Sequence, residues 1–273
     1  ESPWSEGRPG WHIECSEMSK KYLGEQIDIH AGGEDLVFPH HENEIAQSEA
    51  ANGKEFAKYW MHNAFLNIDN KKMSKSLGNF RTVREISEQY DLQVLRFFML
   101  SAHYRSPLNF SADLMEASKN GLERIVNAAE NLKFRMKNAK EEAFTEAEQE
   151  AYAKTEEFVG KFEAAMDDDF NTADAVAAVF DLVKYINTNT SEESSAEYLK
   201  KLLERLTKLC DVLGLIVDKE EEMLAEDIEK MIEERQAARK AKDFAKADAI
   251  RDELLAKGII LEDTREGVKW KKA

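Results

Sequence analysis

Two histidines and two carboxylates stand within five residues in the segment HHENE, which ends at Glu44. On a helix His40 and Glu44 occupy positions i and i+4, so their side chains project from one face and can hold one ion. His41 with Glu44, at i and i+3, is the competing pair. Cys15 is the one cysteine in the histidine-rich half of the chain, and a thiolate is a ligand type that zinc prefers. The spacing alone also fits a solvated, charged helix start, so both interpretations stay open at this point.

A second candidate segment is KMSKS, Lys72 to Ser76, inside the stretch LNIDNKKMSKSLGNF. Lysine ammonium groups and hydroxyls on a loop can offset the negative charge of a leaving pyrophosphate. The residues that would do so are Lys72, Ser74 and Lys75. For two adjacent lysines alone, a solvated basic turn would be the better interpretation; the five defined positions of KMSKS favour the phosphate role.

The elements around these segments alternate between short strand-like runs and helices. The run QIDIH, residues 26–30, alternates apolar and polar residues and predicts a strand that residues 31–33 (AGG) interrupt. Pro39 fits the first turn of a helix that ends before Gly53. Residues 65–73 predict a hairpin. Such alternation indicates part of an α/β domain.

The region after this hairpin predicts helices. Thr82 and Asp91 are suitable caps for two short ones. The second has an apolar face made of Leu95, Phe98 and Met99. From Ala112 onward, apolar stripes at three- to four-residue spacing predict an antiparallel helical bundle. The stripes comprise Leu114, Leu122, Ile125, Val126 and Leu132; Ala175, Val179, Leu182 and Ile186; and Leu199, Leu202, Leu203, Leu206, Leu209 and Leu213.

The last part of the chain predicts a small module of its own. The polar run at 187–195 reads as a loop between helices, and 218–222 as a linker. A helix containing Ile228 and Ile232, a second helix over 245–255 and the β-like run GIILED then predict an α+β arrangement.

Composition limits the class of protein. The chain has 273 residues, of which 42% are hydrophobic and 34% charged, and no run approaches the roughly 18 apolar residues of a membrane span. Two distant cysteines, Cys15 and Cys210, favour a reducing cytosol over a disulfide framework, so we expect a cytoplasmic protein. The net charge of −16 argues against a surface that grips nucleic acid everywhere, but allows a local basic patch.

Three segments together resemble the cysteinyl-tRNA synthetases, a family of class I aminoacyl-tRNA synthetases: GWHIECS, HAGGEDLVFPHHENEIAQSE and KMSKSLGNF. The resemblance continues into the tail KAKDFAKADAIRDELLAKGIILED and so covers nearly the whole chain. It implies an α/β remnant of a class I Rossmann-type catalytic domain, a mainly α-helical bundle and a small C-terminal α+β module. The implied domains are the catalytic portion with the zinc and KMSKS motifs (1–80), a stem-contact-like helical segment (81–112), a helical bundle of the tRNA-binding type (113–217) and an anticodon-recognition module (218–273).

The resemblance implies one Zn²⁺ per chain, which holds the thiolate of substrate cysteine. Its ligands in this sequence are Cys15, His40 and Glu44. Zinc–sulfur bonding separates cysteine from serine, because a hydroxyl is a poor substitute for a soft sulfur ligand. The family's fourth ligand, a cysteine near the start of full-length members, and its HIGH-type motif do not occur in this sequence. We therefore expect the chain to be incomplete for catalysis.

The resemblance also implies roles toward ATP, which is expected with Mg²⁺. The implied catalytic residues are Lys72, Ser74, Lys75 and His30, with Lys75 contacting phosphate and Lys72 auxiliary. The implied nucleotide-binding residues are Lys75, Gly32, Gly33 and Asp35. Glycines let the backbone approach adenosine, and a carboxylate accepts hydrogen bonds from ribose hydroxyls. Trp11 is expected to wall the amino-acid pocket, and His12 and His62 to be structural.

The tail carries a cluster of basic residues between 235 and 251 and a tryptophan close to its end. Bases in a single-stranded loop are read by stacking and by hydrogen bonds to their edges. The resemblance makes four residues candidate readers of the GCA anticodon: Arg239, Asp248, Asp263 and Trp270. A pair of helices laced by salt bridges is the alternative interpretation of the same charges.

The expected function is ATP-dependent ligation of L-cysteine to tRNA(Cys) through cysteinyl-adenylate, by a monomer without a membrane partner. Two alternatives remain open on the sequence. A cysteine:amino-sugar ligase of the mycothiol pathway resembles the same catalytic core but has no reason to keep a tRNA-reading tail. A non-catalytic module that binds tRNA or zinc is the other.

Overall fold

The computed structural model describes residues 1–68, 71–73, 78–139, 143–217, 225–241, 243–264 and 267–272. They belong to two compact units, Glu1–Asp218 and Lys219–Ala273, which are described separately. Within the described ranges, no helix is both long enough and apolar enough to cross a bilayer.

The first unit opens with helix α1 (Trp11–Leu23) and a β–α–β segment. Strand β1 (Ile27–Gly33) leads through a helical turn into α2 (Glu42–Asn52), and β2 (Ala57–Asn63) returns parallel to β1. Because the strands are parallel, both end at the same edge of the sheet, and the chain enters α2 from that edge.

Two predicted boundaries in this segment are wrong. Strand β1 is not interrupted after His30, because its ladder with β2 continues to the pair of Gly33 and Asn63. The α-helix begins at Glu42 instead of near Pro39, because Val37–His41 forms a separate, wider helical turn. The predicted end is confirmed: Gly53 adopts a left-handed conformation at φ 65° and closes the helix.

A three-stranded sheet follows, in the order β4–β3–β5. Strand β3 (Leu66–Ile68) pairs antiparallel with β4 (Lys71–Lys72), which confirms the predicted hairpin, and parallel with β5 (Leu108–Phe110). Ser74 and Lys75, predicted to act on phosphate, lie outside the described residues, and of Lys72 only the backbone is described.

Two short helices lie between β4 and β5, and both begin where predicted. The Thr82 hydroxyl accepts the Glu85 amide in a capping box at the start of α3 (Val83–Ser87). The Asp91 carboxylate caps α4 (Leu92–Leu100). The predicted apolar face of α4 is confirmed for Phe98, which is buried, and Leu95 packs against the core. It is wrong for Met99, which is 47% exposed, and the buried face also includes Val94 and Phe97.

The bundle consists of α5 (Ala112–Lys137), α6 (Glu146–Lys154), α7 (Glu156–Asp167), α8 (Thr172–Asn189) and α9 (Ala196–Val212). The predicted stripes form its core, except that Leu114 is exposed and Met115 is buried in its place. Helix α8 runs to Asn189, so the loop before α9 is shorter than predicted. Cys210 lies in the core as expected, and burial raises its pKa to about 12.

The second unit contains α10 (Ala225–Lys240), α11 (Phe244–Ala256) and an antiparallel hairpin of β6 (Ile259–Thr264) and β7 (Gly267–Lys272). Its core comprises Ile228, Ile232, Ile250, Leu254 and Ile259. Strand β7 was not predicted, and the predicted linker 218–222 lies outside the described residues. Arg235, assigned to the basic cluster on sequence, is buried.

One carboxylate joins two helix starts inside the bundle. Glu148 accepts from the backbone and hydroxyl of Thr145, the cap of α6, at 3.0 and 2.9 Å. It also accepts from the backbone and hydroxyl of Ser195, the cap of α9, each at 2.8 Å. Burial by itself raises the pKa of Glu148, but these hydrogen bonds outweigh it and leave that pKa below its ordinary value.

We predict that Glu148→Gln lowers the free energy of unfolding of the first unit by about 1–3 kcal/mol at pH 7, because an amide replaces an ionised acceptor. A lowered carboxyl pKa gives stability that is present above the ordinary value of 4.5 and is lost as the pH falls through the folded-state value. The gap between wild type and variant should therefore narrow at acid pH in urea unfolding. Glu150→Gln, on the exposed side of the same helix, is the matched control. A gap that is the same at pH 7 and pH 4 would contradict the assignment.

Candidate metal and nucleotide site

A buried carboxylate lies at the centre of the candidate site. Glu44, in the first turn of α2, is fully buried. Its Oε2 lies 2.6 Å from Nε2 of His30 on β1, and its Oε1 lies 2.5 Å from Nε2 of His40 in the turn before α2. An uncompensated carboxylate at such depth is costly, so each oxygen of Glu44 needs a hydrogen-bond donor or a cation beside it.

More histidines surround this core in pairs. Nδ1 of His40 lies 2.7 Å from Nδ1 of His12 on α1, and Nδ1 of His41 lies 2.8 Å from Nε2 of His62 on β2. His12 and His62, expected only as structural residues, thus contact the site directly. The spacing of His12 and His62 in the sequence does not indicate these contacts. They arise because β2 pairs with β1 and because α1 packs beside the turn that carries His40.

The inner histidines are held in an uncharged state. Burial, followed by the nearby charge of His30, lowers the pKa of His41 to about 4. Burial also lowers the pKa of His62, with smaller contributions from His30 and Arg105. Both rings are therefore neutral at pH 7 and can donate at one nitrogen and accept at the other.

The three predicted zinc ligands come together in the structure. Donor atoms of Cys15, His40 and Glu44 all lie within 4.8 Å of one another. Zinc bonds of about 2.0–2.3 Å in a tetrahedron separate two ligand atoms by roughly 3.3–3.8 Å, so small side-chain rotations suffice to place these atoms on one ion. His30, His41 and Glu44 form a second group of the same size that shares the carboxylate but lacks a thiol.

The chemistry of the donors fits a cation between them. Oε1 of Glu44 is buried and has no hydrogen-bond partner in the described part of the chain, although Nε2 of His40 is only 2.5 Å away. When His40 donates from Nδ1 to His12, its Nε2 presents a lone pair to that oxygen. Two acceptors at this distance repel one another unless a cation or a proton lies between them. Burial, and then the charge of Glu44, raise the pKa of Cys15, an effect that a bound divalent cation reverses.

Trp11 lies at the open side of this cluster. Its ring centroid is 4.2 Å from that of His40, yet 58% of the residue is exposed, so it is not a core residue. A large exposed aromatic beside three ligand atoms can cover a small ligand. Its assignment to the amino-acid pocket remains a prediction.

Packing explains why glycines occupy positions 32 and 33, and the sequence alone does not indicate this. A Cβ on Gly32 would lie 2.7 Å from Cε1 of His41, and one on Gly33 would lie 2.6 Å from Oδ1 of Asp35. Gly32 is therefore required by the imidazole of His41, whether or not a nucleotide approaches the backbone. Asp35 is exposed and follows the carboxyl end of β1, a place at which open α/β sheets bind ligands.

The four predicted anticodon-reading residues all lie in the second unit. Arg239 on α10 and Asp248 on α11 are exposed. Asp263 and Trp270 lie on β6 and β7, with Asp263 opposite Val268 in the ladder, but their side chains lie outside what the structure describes. Their role in reading bases stays a prediction.

Comparisons with known proteins agree with this architecture. The family models that match describe the class I (C) tRNA synthetase catalytic domain at residues 1–120, the DALR domain at 161–217 and the cysteinyl-tRNA ligase anticodon binding domain at 221–270. A crystal structure of LeuRS from Agrobacterium radiobacter K84, in a ternary complex with tRNA and LeuAMS, superposes with a TM-score of 0.60 at 19% identity. It covers 70% of this chain and 26% of that one. The fold is that of a class I aminoacyl-tRNA synthetase catalytic domain followed by helical domains.

Curated relatives narrow the class to one family. Proteins named cysteine–tRNA ligase from Lachnospira eligens, Lachnoclostridium phytofermentans and Clostridioides difficile are 68%, 64% and 58% identical over this whole chain. The chain belongs to the cysteine–tRNA ligase family. It spans 58–59% of the length of these relatives. The amino-sugar ligase and the non-catalytic module find no support in these matches.

We predict that the chain binds one Zn²⁺ and that Cys15→Ser, His40→Ala and Glu44→Gln each remove most of it, since each takes one of three ligands. Metal content after dialysis against zinc measures this directly. With Co²⁺ in place of zinc, a thiolate-to-metal absorption band should be lost in Cys15→Ser and retained in Cys210→Ser, which removes the other, core thiol. Retention of the band in Cys15→Ser would rule out that cysteine as a ligand.

Proposed function

We propose that this chain supplies the zinc site, the KMSKS loop and the RNA-binding domains of an enzyme that ligates L-cysteine to tRNA(Cys) through cysteinyl-adenylate. The observation that carries the proposal is the approach of Cys15, His40 and Glu44 to within 4.8 Å, in a chain of the cysteine–tRNA ligase family. A thiolate, an imidazole and a carboxylate are a suitable ligand set for zinc with one open position.

A zinc ion bound to these residues provides a soft Lewis-acid position for the substrate thiolate and so selects sulfur over oxygen. The protein's part is to keep the donors in place. His12 orients His40, and His30 holds Glu44 through its 2.6 Å contact. We therefore assign to His30 the role of positioning the carboxylate of Glu44. Trp11 covers the pocket for the amino acid.

The nucleotide lies at the same edge of the sheet in this proposal. Asp35 accepts hydrogen bonds from the ribose, and the backbone of Gly32 and Gly33 lies beside the adenosine. Lys75, with Lys72 and Ser74, offsets charge on the pyrophosphate of Mg²⁺–ATP as the cysteine carboxylate attacks the α-phosphorus. The terminal ribose hydroxyl of tRNA then attacks the adenylate. Neither step needs a covalent enzyme intermediate, so positioning and charge neutralisation provide the rate enhancement.

The second unit serves recognition of tRNA(Cys). Arg239, Asp248, Asp263 and Trp270 are proposed to read the anticodon by stacking and by hydrogen bonds to base edges. We place the enzyme in the cytoplasm as a monomer.

We expect the zinc-loaded chain to bind L-cysteine more tightly than L-serine by on the order of 100-fold or more, because the pocket ligates sulfur and rejects a hydroxyl. Isothermal titration measures both affinities. Chelation of the metal or the Cys15→Ser change should abolish the preference, and Cys210→Ser should preserve it. Equal affinity for the two amino acids would contradict the proposed role of the metal.

In ATP–pyrophosphate exchange we expect the chain by itself to read near background, because no HIGH-type motif occurs in its 273 residues. The assay contains L-cysteine, Mg²⁺ and labelled pyrophosphate, and a full-length relative such as that of Lachnospira eligens serves as the positive control. Robust exchange by this chain would show that Lys72, Ser74 and Lys75 suffice to use ATP without that motif.

A further inference from the structure

A second set of ligand atoms lies beside the Glu44 carboxylate, apart from Cys15 and His40. Donor atoms of His30, His41 and Glu44 all lie within 4.8 Å of one another. These residues come from β1, from the turn before α2 and from α2 itself. Glu44 and His41 are buried, whereas the side chain of His30 is 17% exposed. A small solute can therefore reach this otherwise enclosed group past His30.

The two oxygens of Glu44 face different imidazoles. Oε1 lies 2.5 Å from Nε2 of His40, which belongs to the zinc-ligand set, and Oε2 lies 2.6 Å from Nε2 of His30. A carboxylate arranged in this way can bind one ion through each oxygen, as in two-metal sites whose ions lie about 3.5–4 Å apart. The second group therefore needs no ligand atom that the first group uses.

The composition of the second group suits a transition-metal ion. Two imidazoles and one glutamate form the protein part of several catalytic zinc sites, in which the fourth position stays open for water. A neutral imidazole carries its proton on either ring nitrogen, so Nε2 of His30 becomes a ligand atom when the proton moves to Nδ1. Imidazole nitrogen favours ions such as Zn²⁺ and Co²⁺ over Mg²⁺ and Ca²⁺, which prefer oxygen ligands.

The ring of His41 has the outer partner that metal-binding histidines usually have. Its Nδ1 lies 2.8 Å from Nε2 of His62. When Nδ1 donates to that nitrogen, Nε2 of His41 presents its lone pair to a metal ion. Gly32 leaves space for this arrangement, because a Cβ at position 32 would lie 3.0 Å from Nε2 of His41. Strand pairing places Gly32 opposite His62, so both sides of the ring are fixed by the sheet.

Aromatic rings enclose the same group. Trp60 stacks on His30 with ring centroids 4.5 Å apart and planes inclined by 14°, and its centroid is 5.1 Å from that of His41. Phe56, which is buried, meets the ring of His30 edge-on at 5.6 Å. An apolar shell of this kind restricts rotation of the imidazoles and excludes water, which strengthens the attraction between a cation and Glu44.

We propose that His30, His41 and Glu44 bind a second divalent cation, and that Glu44 bridges it to the ion bound by Cys15 and His40. The second ion binds more weakly than the first, because it lies beside another dication and has no thiolate ligand. At limiting metal only the first position fills, and the second fills in excess metal. The proposed ligation of cysteine needs the first ion alone, so the second site goes beyond that function. Its occupation replaces the contact through which His30 positions Glu44.

The test is a titration of the metal-free chain with Co²⁺, followed by absorption spectroscopy. The first equivalent should give the thiolate-to-metal band together with ligand-field bands. The second should add ligand-field absorption without any increase in the thiolate band. A chain loaded first with one equivalent of Zn²⁺ should show ligand-field bands alone when Co²⁺ is added. At two equivalents of Co²⁺, spin coupling through the shared carboxylate should keep the electron paramagnetic resonance signal below twice that of one equivalent.

Substitutions locate the second ion. His30→Gln and His41→Gln should each weaken the second binding event by roughly 100-fold or more and leave the first within about threefold. Glutamine at position 30 can still donate to Oε2 of Glu44, so this change separates metal ligation from positioning of the carboxylate. His62→Gln removes the outer partner of His41 and should weaken the second event by roughly 10–100-fold. His103→Gln is the matched control, because His103 faces Asp169 at 3.8 Å and is no member of the cluster. Circular dichroism confirms that each variant is folded.

The outcomes separate the second site from the zinc site. Uptake of a single equivalent by the unaltered chain would overturn the second site and leave the proposed function in place. A second equivalent that persists in both His30→Gln and His41→Gln would place that ion elsewhere and overturn the site as well. Uptake that depends on both histidines, with no thiolate band at any metal concentration, would support the second site and count against Cys15 as a ligand, and so against the proposed function.

Discussion

The first unit depends on one buried carboxylate. Glu44 is excluded from solvent and its two oxygens are met by imidazoles from different elements, His30 on β1 and His40 in the turn before α2. Because a carboxylate cannot stay ionised at this depth without a donor or a cation at its oxygens, the strand, the turn and the helix that surround Glu44 must keep their mutual positions. The same constraint brings α1 into place, since His12 contacts His40 from that helix. Where α1, the turn and α2 meet, the donor atoms of Cys15, His40 and Glu44 lie within 4.8 Å of one another.

The surrounding backbone is adapted to this cluster. Gly32 has no Cβ at the point where His41 packs, and its partner in the parallel ladder is His62, which contacts the other side of the same imidazole. The βαβ unit therefore brings strand ends, a turn and a helix start to one edge, where the donor atoms of Cys15, His40 and Glu44 lie within 4.8 Å of one another. Strand β3 carries the hairpin that leads toward KMSKS, and β5 ties that hairpin to the start of the bundle.

The helical bundle has an apolar core, and its charged side chains lie on the outer surface. Its core is apolar and includes Cys210, whose raised pKa keeps it a protonated, inert side chain. A groove between α7 and α9 is lined by Glu156, Glu163, Asp167 and Glu204, and Glu156 pairs there with Arg205 at 2.9 Å. A net charge of −16 does not exclude binding to phosphate, because such binding follows the local placement of cations more than net charge.

The sequence by itself determined the family, through GWHIECS, HHENE and KMSKS, and most helices, because capping residues and apolar stripes act locally. Local signals failed where strand pairing and helix packing decide. Strand β1 continues past His30 to Gly33 because β2 extends the ladder. Met99 on α4 is exposed, although the local pattern placed it on the apolar face. The i, i+4 spacing on a helix places His40 beside Glu44. No local sequence pattern predicts that Cys15, His12, His30 and His62 gather around the segment that carries these two residues. Tertiary structure alone decided that cluster, since residues far apart in the chain meet only when strands pair and helices pack.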